Sequence, residues 1–342
     1  MRERLQRLVP GLVVSGGFTV WFLVRADWGA VWTALQGVEP GWVIASAMVL
    51  FTEFYIRALR WKVLLVPLAP QARLHRLFVA TVIGMSLNVV LPFRAGDIAR
   101  PWLGSRETGL DFVPLITIAV LERIFDILGL VFVLVLMSFL LMGTSDALIG
   151  ELQWYGAGFG LVTGLGFAVF VWMAFHEAHT RRLYTALTSR MGPVGNKFQG
   201  LFDGLTQGLA GIRDRSLLAQ AAALSALHWF NGSLSIFLLF HAFQLPLPFA
   251  AGCFTSVALA LSVALPQAPG FFGVFHFAIE SALRIWGMDP APAQAFAIVF
   301  WAVSFVPVSV LGAVFWLREG MRWRDLSPLR GSGTPVTPPA SP

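Results

Sequence analysis

Two polar breaks that contain proline and glycine interrupt apolar runs of this chain and place polar side chains inside them. The first break spans 87–97 and carries Asn88, Pro92, Arg94, Gly96 and Asp97, with Arg100 about one helical turn later. The second break spans 261–270 and carries Pro266, Pro269 and Gly270, with Gly273 close behind. Arginine side chains bind phosphate through charge-assisted hydrogen bonds. The first break therefore predicts a site for an anionic group.

The two breaks are related by an internal repeat. Aligned at an offset of 174 residues, Thr81–Gly96 and Thr255–Gly270 share six identities in sixteen positions. Interrupted hydrophobic segments at corresponding places in two halves indicate the binding site of a transporter. The alternative is two ordinary helix ends in a chain rich in Leu and Val, and the repeat alone does not decide between the two.

Glu122, Arg123 and Asp126 lie near the start of the apolar run 112–142. On a helix, Glu122 and Asp126 share one face, and Arg123 reaches Asp126 at a spacing of three residues. Ionisable groups within a membrane span are costly and mark functional sites by default. These three residues would complete a headgroup site beside Arg94 and Asp97. Alternatively, they would form an internal ion pair at the membrane edge, and the sequence favours neither role.

Polar residues in two further runs are weaker candidates. Glu53 and Arg57 are four residues apart in the run 41–59, and Glu53 is the deeper of the two. The adjoining Arg60-Trp61-Lys62 is typical of an anchor at the membrane interface. His228 and Asn231 share a helix face in the run 217–243, where hydrogen bonds between helices are the expected role.

His276 and Glu280 are one helical turn apart after the second break, with Arg284 a further turn away. They would contact a polar headgroup from the outer side of the membrane. Packing of His276 without any ligand is the alternative.

The composition defines the fold class. The chain is 57% hydrophobic and 12% charged, about half the charged fraction of a soluble domain. Residues 216–279 contain no Asp, Glu, Lys or Arg, and one membrane span needs only about 20 apolar residues. The sequence predicts an all-α polytopic membrane protein, with spans near 8–24, 41–59, 112–142, 154–175, 217–243 and 293–317. The net charge of +6 fits basic cytoplasmic loops.

The distribution of Lys and Arg predicts the topology. Segments 60–76 and 94–111 are both basic and therefore cytoplasmic, although the apolar stretch 77–93 separates them. Segment 249–286 must likewise leave and return on the outer side. Two re-entrant hairpins, inverted relative to each other, resolve both conflicts and give about six full spans with both termini cytoplasmic. Full-length helix pairs, giving eight to ten helices, are the alternative.

We therefore expect one transmembrane domain over residues 1–325, with hairpin breaks near 86–100 and 261–275. A cytosolic interfacial segment is expected over 177–215. Residues 326–342 are rich in Pro, Ser, Gly and Thr, which predicts a disordered cytosolic tail.

Motifs for other chemistry are missing from the sequence. It contains no phosphate-binding glycine loop, no zinc-protease motif and no Gly-x-Ser-x-Gly, and Cys253 is the single cysteine. We expect no catalytic residue, metal, cofactor or nucleic-acid partner. The expected partners are membrane lipids, anionic ones above all, together with an enzyme that modifies lipids.

The motifs resemble those of a known family. Asn88, Leu91-Pro92, Arg94-Ala95-Gly96-Asp97 and Arg100 resemble the N…LP-x-R-A-G-[DE]…R signature of the lysylphosphatidylglycerol synthase transmembrane, or flippase-like, family. Segments 57–62, 121–126 and 269–275 resemble its R-x-x-R-W-[KR], L-E-R-x-x-D and P-G-x-x-G patterns, in the expected order. His276 departs from the pattern, because the family usually has Glu there.

The resemblance implies an inner-membrane protein related to the lipid-translocating half of lysylphosphatidylglycerol synthases. It does not imply lysine transfer, because we expect no aminoacyl-transfer domain in this chain. The preferred hypothesis is a flippase that moves an anionic phospholipid or lipid-linked phosphate between leaflets. A membrane enzyme that transfers a group to a lipid or polyprenyl-phosphate, and a scaffold that transports nothing, are the alternatives.

Overall fold

The computed structural model describes residues 16–91, 94–141, 203–204, 206–263 and 269–321, with isolated residues between 165 and 182. Within this part the chain is helical, and residues 16–25 form the end of a first helix. The later helices are α1 (Trp28–Gln36), α2 (Pro40–Leu65), α3 (Leu74–Val90), α4 (Gly96–Thr108), α5 (Phe112–Leu140), α6 (Ala210–Arg213), α7 (Arg215–Ala242), α8 (Phe249–Val263), α9 (Val274–Ile285) and α10 (Pro290–Arg318).

Four of these helices, α2, α5, α7 and α10, have 26 to 29 residues and are apolar enough to cross a membrane. They coincide with the spans predicted at 41–59, 112–142, 217–243 and 293–317, so the all-α polytopic fold class is confirmed. The predicted span at 8–24 is described only from residue 16 onward. The span at 154–175 lies largely outside the described residues, as does the predicted tail.

The helices on either side of each break are shorter. Helices α3 and α4 have 17 and 13 residues, and α8 and α9 have 15 and 12. At 1.5 Å per residue they extend roughly 18–26 Å, less than the hydrocarbon thickness of about 30 Å. Each pair packs together, so the chain forms two helical hairpins whose arms have the length of re-entrant segments. We call them hairpin 1 (α3–α4) and hairpin 2 (α8–α9).

Left-handed backbone conformations turn the chain at both breaks. Arg94 has φ of 52° in hairpin 1, and Gly270 and Gly273 have φ of 79° and 87° in hairpin 2. Glycine adopts this conformation without the steric cost that a Cβ atom brings. Pro269 begins a 3₁₀ turn over Pro269–Phe271, whereas Pro92 and Pro266 lie outside the described residues.

Small residues allow close approach of the helices. A Cβ atom at Gly96 would clash with the carbonyl oxygen of Gly84, so α4 packs directly on the backbone of α3. Helices α2 and α7 are joined by a buried hydrogen bond in which the Ser46 hydroxyl donates to the Ser235 carbonyl at 2.8 Å. Small residues and side-chain hydrogen bonds are the usual means of joining helices within a membrane.

The end of the predicted interfacial segment packs against protein. Leu209 and Ile212 are buried in a core cluster with Leu64 and Leu115, and a Cβ atom at Gly211 would meet the Leu64 carbonyl at 2.5 Å. Apart from residues 203–204, 206–215 and two isolated positions, segment 177–215 lies outside the described part of the chain.

Candidate functional site

Four structural elements each contribute charged or polar side chains to one cluster, which is buried at Arg60 and Glu122 and partly exposed at Arg94, Asp97 and Arg123. Helix α2 presents Glu53, Arg57 and Arg60 on one face, because residues four and seven apart align on a helix. Hairpin 1, α5 and α7 supply the others, which are Asn88, Arg94, Asp97, Arg100, Glu122, Arg123, Asp126 and His228. The sequence distance between these elements means that only the tertiary fold brings them together.

The innermost part of the cluster is a set of paired charges. Nη1 of Arg60 lies 2.8 Å from Oδ1 of Asp126, and Nε of Arg60 lies 3.7 Å from Oε1 of Glu122. Arg100 contacts the other oxygen of Glu122 and stacks over the Trp61 ring at 4.9 Å. Glu122 is fully buried. Because an unpaired charge in such a place costs several kcal/mol, these partners hold α2, α4 and α5 in register.

A second set of contacts fixes the tip of hairpin 1. The Asn88 amide donates to Oδ1 of Asp97 at 3.0 Å, and the Asp97 backbone N–H donates back to Oδ1 of Asn88 at 3.2 Å. Asp97 in turn lies 3.3 Å from Nε of Arg94 and 3.6 Å from Nη2 of Arg123. Asn88 therefore closes the turn and orients the carboxylate toward two arginines.

A third set of contacts links α2 to α7. Nε of Arg57 donates to Oε1 of Glu53 at 3.1 Å, and Nη2 of Arg57 lies 2.9 Å from Nε2 of His228. An arginine has no acceptor atom, so Nε2 of His228 must accept and the ring proton of a neutral imidazole must sit on Nδ1. That nitrogen is 3.6 Å from Oε1 of Glu53.

When His228 is neutral, the positive charges of the cluster outnumber its negative charges by one. Its five arginines are Arg57, Arg60, Arg94, Arg100 and Arg123, and its four carboxylates are Glu53, Asp97, Glu122 and Asp126. Buried ionic groups tend toward mutual neutralisation. The surplus charge is therefore suited to a bound anion.

A cavity of about 220 Å³ opens beside the cluster. Its polar end is formed by Glu53, Arg57, Asn88, Arg94 and His228. Apart from Ser256 and Ser304, the rest of its wall is apolar and aromatic, and includes Phe271, Phe275, Phe300 and Phe305 from hairpin 2 and α10. The cavity is thus amphipathic, with both hairpins contributing to its wall.

The structure brings together eight of the predicted site residues and separates two. The eight are Glu53, Asn88, Arg94, Asp97, Arg100, Glu122, Arg123 and Asp126. His276 is fully buried among the rings of Phe22, Phe272 and Trp301, with no hydrogen-bond partner among the described residues. Glu280 accepts a hydrogen bond from Gln294 at 3.3 Å. Neither residue lines the cavity.

Sequence reasoning missed the contribution of Arg60 and understated that of Arg57 and His228. The interpretation of Arg60-Trp61-Lys62 as an interfacial anchor is wrong for its first two residues, which are both 1% exposed and lie inside the protein. The spacing of Glu53, Arg57 and Arg60 on one helix face was the signal that could have revealed them. Asn231 does make the expected contact between helices, because its amide donates to the Val49 carbonyl at 2.8 Å.

Long apolar helices, two short helical hairpins and a cluster of arginines and carboxylates between them define a polytopic membrane protein with a polar site among its helices. Residues 8–312 match the family described as the lysylphosphatidylglycerol synthase TM region, and the chain belongs to that family. The resemblance that the motifs indicated is therefore confirmed.

Individual relatives are distant. A UPF0104 membrane protein of Methanothermobacter thermautotrophicus is 23% identical over 86% of this chain and 85% of its own length. A UPF0104 membrane protein of Methanocaldococcus jannaschii is 22% identical over 67% of this chain and 92% of its own length. The glycosyltransferase AglD of Haloferax volcanii is 25% identical over 37% of this chain, which corresponds to 21% of AglD. No solved structure matches the chain significantly.

Proposed function

We propose that this protein moves an anionic lipid between the two leaflets of the membrane, and that the headgroup of the lipid occupies the amphipathic cavity. The observation that carries the proposal is the junction of Arg57 and Arg94 with an apolar aromatic wall in one cavity. A phosphate group would bind the guanidinium groups, while the hydrocarbon chains would remain in the apolar surroundings.

The size of the cavity favours a headgroup over a whole lipid. Pockets that enclose drug-sized ligands hold roughly 300–1,000 Å³, and this cavity has about 220 Å³. A phosphate with a small polar substituent matches that space. The hydrocarbon chains would then extend along the protein surface into the bilayer throughout the movement.

The arrangement of the hairpins suggests how access could alternate. In transporters built from inverted repeats, one repeat rocks against the other around a site near the membrane midplane. Here Arg94 of hairpin 1 and Val263 of hairpin 2 both line the cavity. Relative movement of the two hairpins would open the site to one leaflet at a time.

The distribution of basic residues supports an orientation with both termini in the cytoplasm, in the bacterial inner membrane. The described ends of α2 and α10 carry Lys62 and Arg318, which would face the cytoplasm in this orientation. Anionic lipid is abundant on that side of cell membranes. An enzyme that produces or consumes the lipid is the corresponding partner.

A leaflet-reporter assay in proteoliposomes tests the proposal. A membrane-impermeant quencher added outside the vesicles reaches only the fluorescent phosphatidylglycerol of the outer leaflet. Lipid that starts in the inner leaflet is quenched only if the protein moves it. Arg94→Ala removes a charge-assisted contact worth roughly 1.5–3 kcal/mol, so the rate should fall about 10- to 100-fold. Arg73→Ala, at an exposed arginine outside the cluster, is the control and should retain the parent rate. Equal rates for the parent and Arg94→Ala would overturn the assignment.

A membrane enzyme is the second candidate, because part of the chain is similar to a protein named as a glycosyltransferase. In that case a carboxylate of the cluster, such as Asp97 or Glu122, would act as base toward a lipid phosphate. Asp97 and Glu122 each lie within 4 Å of two arginines, an arrangement that favours holding charge over accepting a proton from substrate. Consumption of a soluble sugar donor by the purified protein would favour the enzyme. A scaffold without transport is the third alternative. It predicts that neither the parent protein nor Arg94→Ala moves lipid.

A further inference from the structure

Glu53 differs from the other carboxylates of the cluster in its ionic partners. Glu122 contacts Arg60 and Arg100, and Asp97 lies within 4 Å of two arginines. Asp126 lies within 4 Å of three arginines. Glu53 has one, Arg57, and its other polar neighbour is His228. Removing its charge therefore sacrifices the least electrostatic stabilisation.

Glu53 is also the carboxylate that reaches the cavity. The cavity wall includes Glu53 together with Arg57 and Arg94, but none of the other three carboxylates of the cluster. An incoming anion would meet Arg57, whose Nε already donates to Glu53 at 3.1 Å. Two anions would then share one guanidinium in a setting of low dielectric, where like charges repel strongly.

Building on the proposed lipid movement, we propose that Glu53 binds one proton with each lipid anion, so that the protein is a proton–lipid symporter. A proton from water on the entry side joins the Glu53 carboxylate as an O–H bond, and Arg57 is released to the phosphate. On the exit side the anion leaves, the proton returns to water, and Glu53 pairs with Arg57 again. For a phosphate with one negative charge, the cycle carries no net charge.

The neighbours of Glu53 support this role. His228 is fixed by Arg57 with its ring proton on Nδ1, facing Oε1 of Glu53 at 3.6 Å. At this distance the Nδ1 proton makes no hydrogen bond to Glu53, but its positive end faces the ionised carboxylate, which makes His228 a positioning residue. The other charged groups around the site, Arg60, Arg94, Asp97, Arg100, Glu122, Arg123 and Asp126, are paired with one another.

Proton uptake on ligand binding tests the proposal directly. Purified full-length protein in weakly buffered detergent solution would be mixed with dihexanoyl phosphatidylglycerol, while a soluble pH indicator reports proton uptake and calorimetry reports the lipid bound. The parent protein should take up about one proton for each bound lipid. Glu53→Gln should take up none, and Glu53→Asp, which keeps the carboxylate, should restore uptake. Glu107→Gln, at the carboxylate 3.9 Å from Arg76 outside the cluster, should match the parent.

Proteoliposomes give the transport counterpart. A pH difference across the membrane should make the parent protein accumulate fluorescent phosphatidylglycerol in the leaflet on the alkaline side, by up to about tenfold per pH unit. Binding without proton uptake by the parent, or undiminished uptake by Glu53→Gln, would overturn the symport while leaving lipid movement intact. Failure of the parent to bind or move the lipid would overturn the proposed function, and the symport with it.

Discussion

The Arg94 guanidinium lies 3.5 Å from the carbonyl oxygen of Val263, and this contact joins the tips of the two hairpins. Val263 is the last residue of α8 in the described part of the chain, so a side chain of hairpin 1 contacts a backbone carbonyl of hairpin 2. Arg94 thus faces a carbonyl of hairpin 2 and the Asp97 carboxylate of its own hairpin. An anion that binds Arg94 would compete with this contact and so alter how the hairpins meet.

The turn of hairpin 2 depends on a left-handed glycine. Gly270 has φ of 79° with open space around its Cα, and its carbonyl accepts a hydrogen bond from Trp301 Nε1 at 2.7 Å. Gly270→Ala should therefore destabilise the fold by about 1–2 kcal/mol through backbone strain alone. Gly41→Ala is the matched control, because Gly41 also has open space but lies in the first turn of α2. Thermal unfolding in detergent measures both; equal melting temperatures would mean that the turn tolerates the side chain.

The buried arginine of α2 should matter far more to stability than an exposed one. Arg60→Met leaves Asp126 and Glu122 each with one fewer cationic partner in the protein interior, a change that typically costs about 3–5 kcal/mol. Arg76→Met removes the pair with Glu319 at 2.7 Å, where the Arg76 side chain is 44% exposed, and should cost at most about 1 kcal/mol. Melting temperatures of the two variants compare these effects. A larger loss from Arg76→Met would contradict the assigned roles.

The parts of the fold that depend on local sequence could be predicted. Apolar runs marked the four long helices. The residues of the first break identified a turn in which Asn88 and Asp97, only nine residues apart, make reciprocal hydrogen bonds. Short separations restrict the possible contacts, so spacing carries much of the information. The distribution of Lys and Arg predicted two hairpins at the two breaks, and the structure places the tips of two hairpins in contact.

The contacts between distant helices could not be predicted in the same way. Arg60 and Asp126 belong to different helices, and nothing in their spacing indicates that they meet. In a membrane protein, the face of a helix that packs inward is nearly as apolar as the face toward lipid, so amphipathic patterning does not reveal it. The position of Arg60 beside Trp61 and Lys62 resembled an interfacial anchor, and only the fold places it inside.

Close packing within hairpin 1 makes a further prediction. A Cβ atom at Gly96 would clash with the Gly84 carbonyl and lie 2.8 Å from Oδ1 of Asn88. Gly96→Ala should force α3 and α4 apart and destabilise the protein by about 1–3 kcal/mol. Gly232→Ala is the control within a helix, because the nearest atom to its added Cβ is Oγ of Ser256 at 3.7 Å. Thermal unfolding should show a loss for Gly96→Ala only, and a similar loss for both would contradict the close approach of α4.

Asn88→Asp provides a pH-dependent test of the hairpin 1 turn. The introduced carboxylate can still accept from the Asp97 backbone N–H, but at pH 7 it places a negative charge where an amide donates to the Asp97 side chain at 3.0 Å. Like charges at this distance repel, so the variant should be less stable than the parent at pH 7. As the pH falls toward about 5, protonation of the introduced carboxyl restores a donor, and the difference from the parent should shrink.

Asn88→Ala is the control, because it removes the amide without adding a charge and its difference from the parent should stay constant with pH. Melting temperatures of the three proteins at pH 5 and pH 7 measure this. A deficit of Asn88→Asp that does not shrink at the lower pH would contradict the direct contact between Asn88 and Asp97.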